Sequence, residues 1–115
     1  MDFLSVLKDL AVLNYDNGQV FTNRDRLDAI AELLKGSDYR RVNRDGLFEL
    51  YAPGGILPDQ ALLISTHVDC VDAITRCFAE EAEHDTLRGT FDNLITNACA
   101  VYLMITRQLS RNTIV

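Results

Sequence analysis

The stretch ALLIST, residues 61–66, constrains the fold more than any other part of the chain. It is a continuous apolar run, and the segment before it, APGGILPDQ, carries Pro53, Gly54, Gly55 and Pro58 too densely for a regular element. An apolar run without polar alternation, bounded by such a loop, reads as a strand covered on both faces. The expectation is an α/β fold with ALLIST at the centre of the sheet.

The flanking patterns supply the layers around that strand. Phe3, Leu4, Leu7, Leu10, Ala11 and Leu13 recur at helical spacing and predict an amphipathic helix over residues 2–14, stopped by NYDNGQ. A second helix is predicted from Thr22 or Asn23, either of which can cap it, through Leu34, with Gly36 as its C-cap. Asp-Gly within YRRVNRDGLFELYA is a strong hairpin signal, so residues 39–52 are predicted to form a two-stranded ribbon. Residues 74–88 combine a short β-like segment with an acidic turn. From Asp92 to about Gln108, Leu94, Ile95, Ala98, Val101, Tyr102 and Ile105 predict a third helix. No repeat, low-complexity tract or linker divides the chain, so residues 1–115 are read as one domain.

Charge and cysteine content narrow the partners. A formal charge of −6 over 115 residues gives no electrostatic reason to bind nucleic acid or an anionic membrane. No apolar run reaches the ~18 residues that a membrane span needs. Asp2, Lys8 and Asp9 interrupt the N-terminal segment where a signal peptide would be basic and then apolar. Cys70, Cys77 and Cys99 form no Cys-x-x-Cys pair and are odd in number, which suits a reducing compartment. A cytoplasmic location is therefore expected.

Two stretches carry chemistry. THVDCV follows the apolar strand, and because side chains alternate along a strand, His67 and Asp69 point to the same side. That is also the carboxyl end of the strand, where open α/β sheets keep their ligand crevices. A histidine that binds metal through one ring nitrogen commonly gives its other N–H to a carboxylate, and His-x-Asp supplies both. The second stretch, RGTFDN, places Asp92 at the expected start of the third helix. There it can serve as an N-cap, and the helix terminus favours the ionised carboxylate that a metal ligand requires.

Taken together, LLISTHVD, an acidic loop and LRGTFDNLITNACAVYLM resemble the zinc-dependent exopeptidases of the co-catalytic aminopeptidase and carboxypeptidase superfamily. Their pattern is an apolar strand ending in His-x-Asp, a loop, a Gly-x-x-Asp turn and a helix rich in small residues. The resemblance implies that His67 binds one zinc, Asp69 orients it and takes part in catalysis, and Asp92 bridges two zincs. Gly89 matches the turn glycine, and Asn93 follows the bridging aspartate, a position at which the family has a cis peptide bond. The implied fold is a partial three-layer sheet with flanking helices, of phosphorylase/hydrolase-like topology.

The chain also departs from the pattern. The family's general-base glutamate, the ligand glutamate beside it, and a later carboxylate and histidine have no counterpart. Glu80 and Glu81 are adjacent acids but precede Asp92, and with His84 they read as a solvated loop. The resemblance is therefore to the N-terminal, truncated part of a catalytic domain. The parent would be a metallopeptidase hydrolysing terminal peptide or amide bonds of a peptide or small amide substrate, and this chain alone would be inactive. The alternative is a non-catalytic α/β interaction domain, self-associating through an exposed sheet edge at NTIV.

Overall fold

The structure, a computed structural model, describes residues 1–11, 23–43, 45–69, 79–89 and 93–115. Three helices and three short ladders make up the described elements, in the mixed α/β class that the sequence predicts. Helix α1 (Phe3–Ala11) buries Leu7, Leu10 and Ala11 of the predicted stripe together with Val6, which the periodicity did not single out, while Phe3 and Leu4 are half-buried and Leu13 lies outside the described residues. Asp2 starts it, accepting the Ser5 amide at 2.8 Å. Helix α2 (Asn23–Leu34) buries Ile30, Leu34 and, unexpectedly, Arg26. Gly36 does not provide an αL cap, since the glycines at positive φ are Gly54 and Gly55. Instead the Leu34 carbonyl accepts both the Ser37 hydroxyl, at 2.7 Å, and the Ser37 amide, at 3.0 Å. A serine side chain here performs the task assigned to the glycine.

The ribbon forms as β1 (Tyr39–Arg41) antiparallel to β2 (Tyr51–Pro53), with Arg40 opposite Ala52. Its connection is longer than an Asp-Gly two-residue turn. Asn43 explains this, since its side chain donates to the Phe48 carbonyl at 2.7 Å and accepts the Leu50 amide at 2.7 Å, replacing ladder bonds. Asp45 accepts the Leu47 amide at 2.7 Å, as turn aspartates do. Beyond β2 the chain reverses at Gly54 and Gly55, with φ of 64° and 75°. A Cβ on Gly55 would stand 3.2 Å from Arg40 Cβ, so both conformation and space favour glycine there.

Strand β3 (Leu62–Leu63) corrects the central expectation. It is only two residues long, pairs in parallel with β6 (Thr113–Ile114), and its leucines are 61% and 63% exposed. ALLIST is therefore an edge among the described residues, with no element covering its outer side. The strand that occupies the middle is β6. Tyr51 and Val115 exchange both backbone hydrogen bonds, at 2.8 and 3.0 Å, while Leu62 and Ile64 donate to Asn112 and Ile114 at 2.9 Å. NTIV is thus held on both sides and is not the exposed edge that its position in the sequence suggested.

Residues 79–89 form a hairpin, β4 (Ala79–Ala82) antiparallel to β5 (Thr86–Gly89), turned by His84 and Asp85 at φ of 61° and 56°. Glu80 and Glu81 stand on this strand rather than in a loop, and Glu80 pairs with Arg88 directly opposite. Helix α3 (Leu94–Ile105) is apolar on most of its surface because it packs against both α1 and α2. Leu94, Ala98, Val101 and Met104 join the helix stripes of α1 and α2 in one core, and Phe3 meets Tyr102 edge-on at 5.9 Å. Beyond the C-cap Thr106, Arg107 takes a φ of 57°, with Gln108 N–H on the Leu103 carbonyl at 3.0 Å and Arg107 N–H on that of Met104 at 3.3 Å. This is the Schellman arrangement, with arginine in the position usually held by glycine.

Candidate functional site

Past β3 the chain keeps the alternation of a strand. Ile64, Thr66 and Val68 are half-buried, whereas Ser65, His67 and Asp69 are exposed. His67 and Asp69 consequently share a side, and His67 Nδ1 lies 2.8 Å from Asp69 Oδ1 and 3.2 Å from the Asp69 carbonyl oxygen. A proton on Nδ1 satisfies both oxygens and leaves the Nε2 lone pair outward, the tautomer that a metal or proton acceptor needs. With side chains 58% and 69% exposed, the pair contributes at most about 1 kcal/mol to stability. Its geometry is better suited to presenting Nε2 than to holding the fold together.

A polar network that sequence reasoning did not anticipate fixes the strand end against α3. Asn93, the N-cap residue, makes no side-chain capping bond. Its Nδ2 instead donates to Thr66 Oγ1 at 3.0 Å and to the His67 carbonyl at 2.9 Å. Thr66 donates to Asn97 Oδ1 at 2.8 Å, and Thr96 bonds to the Asn93 side chain. Asn97 is 1% exposed, and its Nδ2 has no acceptor among the described residues. Only the Thr66, Asn93, Thr96 and Asn97 residue types were visible in the sequence, because the bonds that join Thr66 and His67 to Asn93 and Asn97 span about 30 positions.

The third sequence-predicted residue, Asp92, lies outside the described residues, as do its bond to Asn93, Cys70 and Cys77. Its neighbour Asn93 occupies the N-cap position of α3, one residue later than expected, and its side chain bonds to the His67 carbonyl. Gly89 ends β5. Among the described residues, no three His, Cys, Asp or Glu side chains gather as a metal-binding group. His67 fits a ligand and Asp69 its orienting partner, but these two alone fall short of the three or four protein ligands of a zinc site.

A groove of about 760 Å³ runs from this pair between the helices and the sheet. Leu27, Leu47, Phe48, Leu63, Val68 and Val101 give it an apolar lining. On its rim Glu49 accepts Arg24 at 2.7 Å, Arg41 at 3.1 Å and the Tyr51 hydroxyl at 2.9 Å. Burial raises the Glu49 pKa, but the bonds from Arg24, Tyr51 and Arg41 outweigh it and hold the carboxyl below its ordinary value. Burial, followed by the bond to Glu49, raises the Tyr51 phenol.

No helix among the described residues is long and apolar enough to cross a membrane. No family model, curated protein or solved structure matches the chain.

Proposed function

We propose that the chain is part of a zinc-dependent hydrolase acting on terminal peptide or amide bonds, with His67 as a metal ligand and Asp69 as the residue that orients it. The observation that carries this reading is the 2.8 Å contact between His67 Nδ1 and Asp69 Oδ1 in the extended segment that follows β3. It leaves Nε2 for a metal beside the start of α3, where Asp92 stands in the sequence. The adjoining apolar groove suits a peptide or small amide bearing an apolar side chain. The finer topology, a partial three-layer exopeptidase sheet, belongs to the same proposal. A zinc there would polarise the scissile carbonyl and lower the pKa of bound water. The chain's own residues supply one imidazole, its orientation and a groove, and turnover requires a general base from outside them.

The test is titration with zinc followed by the His67 imidazole resonances. Weak binding that shifts those resonances, is lost in His67→Ala and falls about 10-fold or more in Asp69→Asn is expected. Binding that survives His67→Ala would place the metal elsewhere. These 115 residues alone should show no metal-dependent peptidase turnover.

The second reading, a non-catalytic interaction domain, is favoured by a different observation. The β3 edge is unpaired on its outer side among the described residues, with Leu62 and Leu63 exposed, as are Ile56, at 74%, and Leu57, at 54%, in the loop that precedes it. Such an edge is a template for another strand.

A further inference from the structure

At the opposite end of α3 from His67, a cleft of about 690 Å³ lies between the β1–β2 ribbon and the residues following the helix. Arg40, Arg107 and Arg111 line it from separate parts of the chain, facing the single carboxylate of Asp38 and the Ser110 hydroxyl. Three guanidinium groups around one acid are unusual in a chain of net charge −6. Their internal pairing is thin. Arg107 reaches Asp38 at 3.4 Å with its own side chain largely in water and that of Asp38 about half exposed, and Arg111 forms no ion pair among the described residues. Arg40 spends one nitrogen, Nη1, on the carbonyls of Ser37 and Tyr39, at 2.5 and 2.7 Å, which orients the rest of its fork.

The backbone adds an independent observation. Arg107 occupies the αL position that closes the α3 terminus, where glycine would carry no steric penalty. An arginine held in a disfavoured conformation at a cleft wall points to a use for its side chain. Guanidinium forks match the paired oxygens of phosphate and carboxylate, and Met104 and Leu109 in the same wall provide apolar surface for a carbon skeleton.

We propose that this cleft binds a small organic anion through a phosphoryl or carboxylate group held by Arg107 and Arg111, with Arg40 completing the positive wall. The site is separate from the His67–Asp69 pair and does not depend on zinc. A helix of twelve residues, roughly 18 Å long, lies between the two.

Calorimetric titration of the full chain with pyrophosphate and, separately, with citrate tests it. Saturable binding of at least one probe is expected, weakening as salt is raised and falling about tenfold or more in both Arg111→Gln and Arg107→Gly. Arg107→Gly retains the helix stop, so loss of binding at undiminished Tm separates recognition from folding. Tighter pyrophosphate binding assigns a phosphoryl ligand, and tighter citrate binding a carboxylate. His67→Ala should leave either affinity unchanged. No saturation with either probe at low salt, or unchanged affinity in either arginine variant, would overturn the proposal.

Discussion

Thr66 joins two side chains at the start of α3, about 30 positions further along the chain. It accepts from Asn93 and donates to the buried carbonyl oxygen of Asn97. Thr66→Val preserves shape but removes that donor, leaving Asn97 Oδ1 buried without it. A loss of about 1–3 kcal/mol is expected in urea denaturation. A change inside experimental error would mean that the network does not hold the strand end against α3. Glu49 gives a pH signature at the same scale. Its folded pKa is depressed, so its contribution is fully present above the unfolded carboxylate value, about 4.3, and disappears as pH falls through the lower folded value. Acid unfolding of Glu49→Gln should be shallower over that window than that of the parent protein. Parallel acid curves would show that the arginine cluster does not favour the charged form.

At the scale of elements, helix termini show how local chemistry is reassigned. Ser37 takes over from Gly36 at the end of α2, and at the end of α3 arginine adopts the left-handed conformation without glycine's freedom. An L-residue there costs roughly 1–2 kcal/mol, while the exposed 3.4 Å contact with Asp38 returns little. Arg107→Gly should therefore raise thermal stability, by about 1 kcal/mol. A fall in Tm would show that the arginine contributes more to the fold than its contacts indicate. Helix existence was legible in the sequence because the apolar stripes of α1, α2 and α3 are set by a 3.6-residue period that packing then uses. Terminal residues were less legible. A hydroxyl at Ser37 and an amide at Asn93 chose among several nearby acceptors only after neighbouring segments had been placed.

For the whole molecule, the exposed β3 edge is the dominant surface feature. Leu62 and Leu63 stand in water on an edge that no described strand pairs. Concentration-dependent self-association is expected in sedimentation, and Leu63→Lys should shift it toward monomer, since an edge lysine discourages strand addition. Because Leu63 is 63% exposed, stability should change by no more than about 0.5 kcal/mol. An unaltered association constant would locate any self-contact elsewhere.

The sequence by itself determined the α/β class, the three helices, the β1–β2 ribbon and the shared side of His67 and Asp69. Each follows from a period or spacing that acts within about fifteen residues. Tertiary structure decided the rest. It placed β6 rather than ALLIST between two partners, because an apolar run specifies burial but not which strands will flank it. It also bonded Thr66 to Asn97 and set Arg40 in the wall of the same cleft as Arg107 and Arg111, placing together residues far apart in the chain. Such contacts leave no periodic trace, since they exist only once the packing of α3 against the other helices and the ribbon has set the distances.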